Sequence, residues 1–293
     1  MTNTSTGDSP PVGLTIAGFD PSGGAGVIAD VRTFASFGCF ATAAITSLTF
    51  QNTTGVFGAL HQSAATVRAQ VTPILRDFTI ACVKTGMLPT REVIGEVARL
   101  FRATEIPSPV VDPVMRATSG DDLIDDDAVS CLVAELFPLA RLVTPNIPEA
   151  ERLTGLSIND EEGMREAAKI ICGMGAAAVL VKGGHLGARK PEGPGQKEDD
   201  SKQKTGVDQG ATLVVSRKAI DVLVQQNAQV TVFREELIAG GEFHGSGCTL
   251  SAAIAASLAK GLNLEDSIRA AKRFVTDAIR RAPQLGHGAR PLP

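Results

Sequence analysis

A chain of 293 residues, 43% hydrophobic and with a formal net charge of -4, is long enough to bury one large α/β core or two small ones. The acidic balance, the lack of a dense Lys/Arg stripe and the absence of Trp and Tyr argue against nucleic acid as a partner. Five scattered cysteines without a CxxC, no basic-then-apolar leader and no run of about 18 to 20 apolar residues point to a cytoplasmic protein with no membrane partner.

Residues 1–11 are polar and read as a disordered tail. The apolar run 12–18 ends in glycines, as a buried strand does, and 23–38 has helical spacing through Val27, Val31, Phe34 and Ala35. A strand at 41–50, a helix at 64–76, a strand at 79–84, a helix at 91–102 and a strand at 109–114 follow. Then come a helix at 126–137, a strand at 141–144, helices at 147–154 and 161–173, and a strand at 177–182. Residues 188–211 are dense in Lys, Asp, Glu, Gln, Gly and Pro, and read as a flexible surface insertion rather than a domain boundary. Strands at 212–216 and 219–224 and helices at 247–262 and 264–282 complete a single domain over 12–288. Alternating strands and helices predict a mostly parallel central sheet with helices on both faces, its ligands beyond the carboxyl ends of the strands.

The segment His244-Gly245-Ser246-Gly247-Cys248-Thr249 opens an alanine-rich helix. Glycines there admit close backbone approach, and the free N–H groups of a helix start attract anions. The position is expected to lower the pKa of Cys248, making it a base for a substrate hydroxyl. The same segment also fits a closely packed helix with one more core cysteine. The turn Gly18–Gly26, with Asp20 in it and Ala25 near its end, leaves room for a planar ligand or an anion, or is a tight turn before a packed helix. It is neither a GxxxxGK[ST] loop nor a GxGxxG fingerprint.

Asp112 ends a predicted strand, and Asn146 and Glu149 follow the next one. On neighbouring strands these oxygens suit nucleotide-bound Mg²⁺, while Asn146 and Glu149 equally suit a helix cap. Lys182 ends another strand, where it can meet phosphate, and Gly184 beside it admits a nucleotide; His185 reads as structural. The acidic run from Asp121 to Asp127 sits at a helix start and receives no catalytic role.

In order, LTIAGFDPSGGAGVIADVRTF, TFQNTTGV, VKTGML, VVDPVM, VTPNIPEAE, VLVKGGH, HGSGCTLSAAIA and LGHGARPL resemble the hydroxymethylpyrimidine/phosphomethylpyrimidine kinases of thiamine synthesis, in the ribokinase-like superfamily. The resemblance implies a cytoplasmic, homodimeric enzyme that transfers phosphate from ATP with Mg²⁺, a monovalent cation being a further candidate. It makes Cys248 the base, Gly245, Ser246, Gly247 and Cys248 the anion hole, and Lys182 a catalytic charge. Gln51 is implied as the hydrogen-bonding partner of the aminopyrimidine, with Ala25, Thr49, Met87 and Val114 lining its pocket and Gly18 and Asp20 beside it. Asp112, Asn146, Glu149 and Gly184 fall to ATP and metal. Two positions depart: Thr118 stands where a lysine is expected, with Arg116 the available substitute, and Thr49 is more polar than usual. The rival readings are a pyridoxal kinase, which Gln51 disfavours, and a pyrimidine-binding sensor without turnover.

Overall fold

The structure, a computed structural model, describes residues 9–116, 120, 123–184, 218–238, 241 and 243–293. The insertion expected at 188–211, the strand expected at 212–216, Thr118 and His185 lie outside the described residues.

The chain runs β1 (Val12–Phe19), α1 (Gly26–Ser36), β2 (Phe40–Asn52), β3 (Gly55–His61), α2 (Ala64–Asp77), β4 (Ile80–Thr85), α3 (Arg91–Ala103) and β5 (Val110–Val111). It continues through α4 (Asp126–Cys131), β6 (Leu142–Val143), α5 (Ile147–Thr154), α6 (Glu161–Gly173), β7 (Ala178–Gly183), β8 (Lys218–Gln225) and β9 (Val230–Glu236). Last come β10 (Phe243–His244), α7 (Ser246–Ala259), α8 (Leu264–Arg281) and β11 (Arg290–Pro291). Nine strands form one sheet in the order β3-β2-β1-β4-β5-β6-β7-β8-β9. From β2 to β7 every pairing is parallel; β3, β8 and β9 pair antiparallel at the two edges.

Strand periodicity sorts the buried side chains into two cores. Leu14, Ile16, Val83, Val111, Val143, Val179 and Val181 pack into one cluster with residues of α3, α5 and α6. Their neighbours Cys82, Val110, Leu142, Ala178 and Leu180 pack into the other with Phe34 of α1 and much of α7 and α8. Side chains alternate across a strand, so each strand feeds both layers, and helices cover both faces as expected. α7 is buried from Thr249 through Ser257, which explains why its sequence is apolar on every side.

Three expectations change. α1 begins at Gly26 rather than residue 23, because 23–25 turn back on Asp20, whose Oδ2 accepts from the Ala25 N–H at 2.9 Å. The helix expected at 126–137 is α4 followed by a π turn, Leu132–Leu136, and a 3₁₀ turn, Phe137–Leu139. Strands β3, β9, β10 and β11 were not expected: β3 and β9 extend the edges by hairpin pairing, β3 with Gly58 inside its run and β9 charged after Phe233, and β10 and β11 are two residues each.

Candidate active site

From β1 the chain turns to β2 on one side and later returns to β4 on the other, a topological switch point. Ligands of open α/β sheets bind outside the carboxyl ends of the strands at such a point. A cleft of about 1480 Å³ lies there. Every residue singled out by the sequence lines it: Gly18, Asp20, Ala25, Thr49, Gln51, Met87, Asp112, Val114, Asn146, Glu149, Lys182, Gly184, Gly245, Ser246, Gly247 and Cys248. Strand order divides the cleft. β1, β2 and β4 carry the pocket that Gln51 faces, β6, β7 and β8 the opposite end, and Asp112 after β5 stands between.

Two glycine turns meet above this point. Gly245 caps α7 at φ 80°, and a Cβ there would sit 1.8 Å from the Gly24 carbonyl oxygen. Gly26 has φ 57°, and a Cβ would fall 2.2 Å from the Gly18 carbonyl oxygen. Both need glycine for conformation and for space. At Gly247 a Cβ would lie 3.2 Å from Lys182 Nζ and 3.8 Å from Asp112 Oδ2, so the α7 start borders that ion pair. Gly184 differs: a Cβ there meets open space. The close approach in its loop belongs to Gly183, where a Cβ would lie 2.3 Å from the Ile220 carbonyl oxygen.

Lys182 Nζ donates to Asp112 Oδ1 at 2.8 Å, and the Thr144 hydroxyl donates to the same oxygen at 3.2 Å. Burial would raise the Asp112 carboxyl, but Lys182 and Lys84, with these hydrogen bonds, hold it below its ordinary value. Asn146 and Glu149 form a reciprocal cap on α5: Glu149 N–H donates to Asn146 Oδ1 and Asn146 N–H to Glu149 Oε2, each at 2.8 Å. The capping reading therefore holds. Burial pushes Glu149 up to about 7, with Asp112 adding to the effect and Lys182 opposing it.

Cys248 departs from expectation. Burial pushes its thiol up to about 11; Lys84 and a hydrogen bond from Gly26 N–H act against this, and Asp112 and Asp30 act with it. The N–H of Gly26 at the start of α1 and the Lys84 ammonium of β4 act on the sulfur, rather than the start of α7 alone, yet the resting group is a thiol.

Lys84 was not singled out by the sequence. It lies at the end of β4, fully buried at the cleft floor, its Nζ 2.8 Å from Oδ2 of the equally buried Asp30 on α1. Thr15 Oγ1 donates to the same oxygen at 2.6 Å. Burial alone would lower the Lys84 ammonium, but Asp30, then Cys248 and Asp112, raise it. Lys272 of α8, paired with Asp221 of β8, also lines the cleft at the Lys182 end and was also missed. The polarity of Thr49 is accounted for: its hydroxyl donates to the Phe19 carbonyl at 2.9 Å. Arg116 lines the cleft near Asp112. Of the acidic run, Asp125 caps α4 through the Ala128 N–H at 2.8 Å, while Asp126 and Asp127 pair with Arg152 and Arg91.

A glycine-bordered helix start, a buried acid–lysine pair and a deep cleft at the carboxyl ends of the strands are the features of a small-molecule kinase of the ribokinase-like class. The phosphomethylpyrimidine kinase family profile matches residues 20–293, and the chain belongs to that family. It is 42% identical over 284 residues to a hydroxymethylpyrimidine/phosphomethylpyrimidine kinase of Rhizobium meliloti, covering 96% of each chain. It is also 42% identical over 279 residues to the thiamine biosynthesis bifunctional protein ThiED of Geobacter sulfurreducens. There, 95% of this chain spans about half, 51%, of the relative. Among solved structures, a phosphomethylpyrimidine kinase from Clostridium difficile is 34% identical at TM-score 0.72, covering 92% of this chain and 99% of that one. A Bacillus subtilis pyridoxal kinase, solved as an ADP complex, is 33% identical at TM-score 0.79, covering 97% of each.

Proposed function

We propose that this kinase phosphorylates 4-amino-5-hydroxymethyl-2-methylpyrimidine to its monophosphate, and the monophosphate to the diphosphate, with ATP as donor. The observation that carries the reading is Gln51 on the wall of the pocket end of the cleft, joined there by Ala25, Thr49, Met87 and Val114. An amide offers a donor and an acceptor in one plane, matching the edge of an aminopyrimidine. Relatives carrying both kinase activities in their names support it. The pyridoxal kinase likeness is the reason to test it.

In the first step the thiolate form of Cys248, formed by loss of the thiol proton to solvent, takes the hydroxyl proton as the oxygen attacks the terminal phosphorus and the bond to the leaving nucleoside diphosphate breaks. The N–H groups at the start of α7 meet the charge that builds on the transferred group. Lys182 adds a point charge at the same place, and Lys84 supports the Cys248 thiolate from below. Asp112 and Glu149, with Asn146 beside them, offer hard oxygens, a donor set that fits Mg²⁺ brought in by the nucleotide with most of its waters. When bound, that ion neutralises phosphate charge. The second step needs no base, because its attacking phosphate oxygen is already ionised. We take 12–288 as one kinase domain. The five cysteines are free, as in a reducing cytoplasm, and no described helix is long and apolar enough to cross a membrane.

ATP consumption measured with the pyrimidine and with pyridoxal in parallel tests the assignment. Preference for the pyrimidine, lost on Gln51→Met, is the expected result. Preference for pyridoxal overturns the substrate and leaves the phosphoryl-transfer chemistry standing.

A further inference from the structure

His244 has a place in the geometry that the phosphoryl-transfer chemistry does not use. Its Nε2 lies 2.8 Å from Asp20 Oδ2 and 3.4 Å from Gln51 Nε2. Asp20 also accepts from Gln51, and its other oxygen takes the N–H and the hydroxyl of Ser22 at 2.8 and 2.7 Å. A carboxylate accepts only, so the Gln51 group turned toward it is the NH₂. The ring nitrogen facing Asp20 then carries the hydrogen, because two acceptors cannot share a contact of 2.8 Å. That protonated nitrogen cannot also accept from the Gln51 NH₂, so the 3.4 Å approach is a packing contact and His244 acts on the amide through Asp20, which both groups donate to. Of the Gln51 amide, which lines the cleft, this leaves the carbonyl oxygen and the second N–H for a ligand. An aminopyrimidine edge presents the complementary pair, an amino donor beside a ring-nitrogen acceptor.

The ring is itself held. Gly24 lies against it so closely that a Cβ there would fall 2.2 Å from His244 Cδ2. β10, which contains His244, pairs in parallel with β11 near the end of the described chain. The residues just before β11 grip the β2–β3 turn that follows Gln51: Ala289 N–H donates to the Thr53 carbonyl at 2.9 Å and Gly288 N–H to its hydroxyl at 3.3 Å. One segment therefore ties both partners of the contact.

We propose that His244 is a positioning residue which, with Asp20, fixes the Gln51 amide in the orientation that selects an aminopyrimidine. The inference rests on the substrate reading above. It goes beyond it in assigning amide orientation to two residues 224 positions apart in the chain.

The test compares His244→Leu, His244→Asn, Gly24→Ala, Gln51→Met and the double variant Gln51→Met/His244→Leu. Each is assayed for KM and kcat with the pyrimidine, with pyridoxal and for ATP. His244→Leu is expected to raise the pyrimidine KM about tenfold or more, a loss near that of one oriented hydrogen bond. The KM for ATP should stay within twofold, which also reports folding. The ratio of pyrimidine to pyridoxal kcat/KM should fall alongside that of Gln51→Met. His244→Asn, which keeps an N–H for Asp20, should recover most of the loss, and Gly24→Ala, which removes no polar group, should reproduce part of it. The double variant should be no worse than Gln51→Met, since the two act as one unit. Equal loss of kcat with both acceptors at unchanged KM, or losses that multiply in the double variant, overturns the proposal while the substrate reading stands. A Gln51→Met enzyme with unaltered pyrimidine KM sinks both.

Discussion

Cys248 shows how competing effects set a single group. An N–H from Gly26 and the Lys84 ammonium favour the thiolate, yet burial and two carboxylates carry the thiol up to about 11. Below that value the thiolate fraction rises about tenfold per pH unit. First-step kcat/KM should therefore climb with pH across the range the enzyme survives, and second-step kcat/KM should lack that limb. Cys248→Ala should slow the first step about 100-fold or more and the second far less, as single-turnover assays with each acceptor would show. Equal losses would remove the base role. The cysteine itself was legible, because glycines flank it at a helix start. Its proton affinity was not, because that depends on Lys84, Asp30 and Asp112, which reach it from other elements. Lys84 and Asp30 gave one local clue each, a charge inside the apolar runs of β4 and α1, and nothing in the spacing joined them.

Between elements, that same pair fastens α1 to β4 beneath the cleft. Its two charges are fully buried and 2.8 Å apart. Among the described residues Asp30 Oδ1 has no hydrogen-bond partner, so the pair is incompletely satisfied. Removing one partner of such a pair strands the other charge at a cost of about 3–5 kcal/mol, whereas neutralising both costs far less. Lys84→Met should thus unfold at much lower denaturant than Asp30→Asn/Lys84→Met in equilibrium urea titrations. Similar midpoints would mean that the pair is not a coupled unit. The parallel strands were legible because both their faces are buried and they read as apolar runs. β3 and β9 were not: Gly58 interrupts the short apolar run of β3 beside the β2–β3 turn, and β9 turns charged after Phe233. β3 leaves Phe57 and Leu60 exposed, as β2 does Phe50, an apolar surface at the sheet edge. Exposed apolar surface on an edge strand is a surface for association; sedimentation equilibrium should give a mass above the monomer's if copies of this chain cover it, and the monomer mass at micromolar concentration would show that they do not.

On the scale of the whole molecule, nine strands and two helical layers bring the start and the end of the described chain to one pocket. The helical layers and the mostly parallel sheet followed from alternation and periodicity, while the order of strands in the sheet did not. The pocket wall did not, because the distance in sequence between Asp20 and His244 hides their pairing. Gly18 and Asp20 are made some 270 residues before the segment that grips Thr53 and pairs with His244. Contacts this far apart pay their loop-closure entropy late in folding. A nascent chain can thus complete its sheet core before the acceptor pocket has its last wall, which waits for the segment 288–291 to be made and to dock on Thr53 and His244.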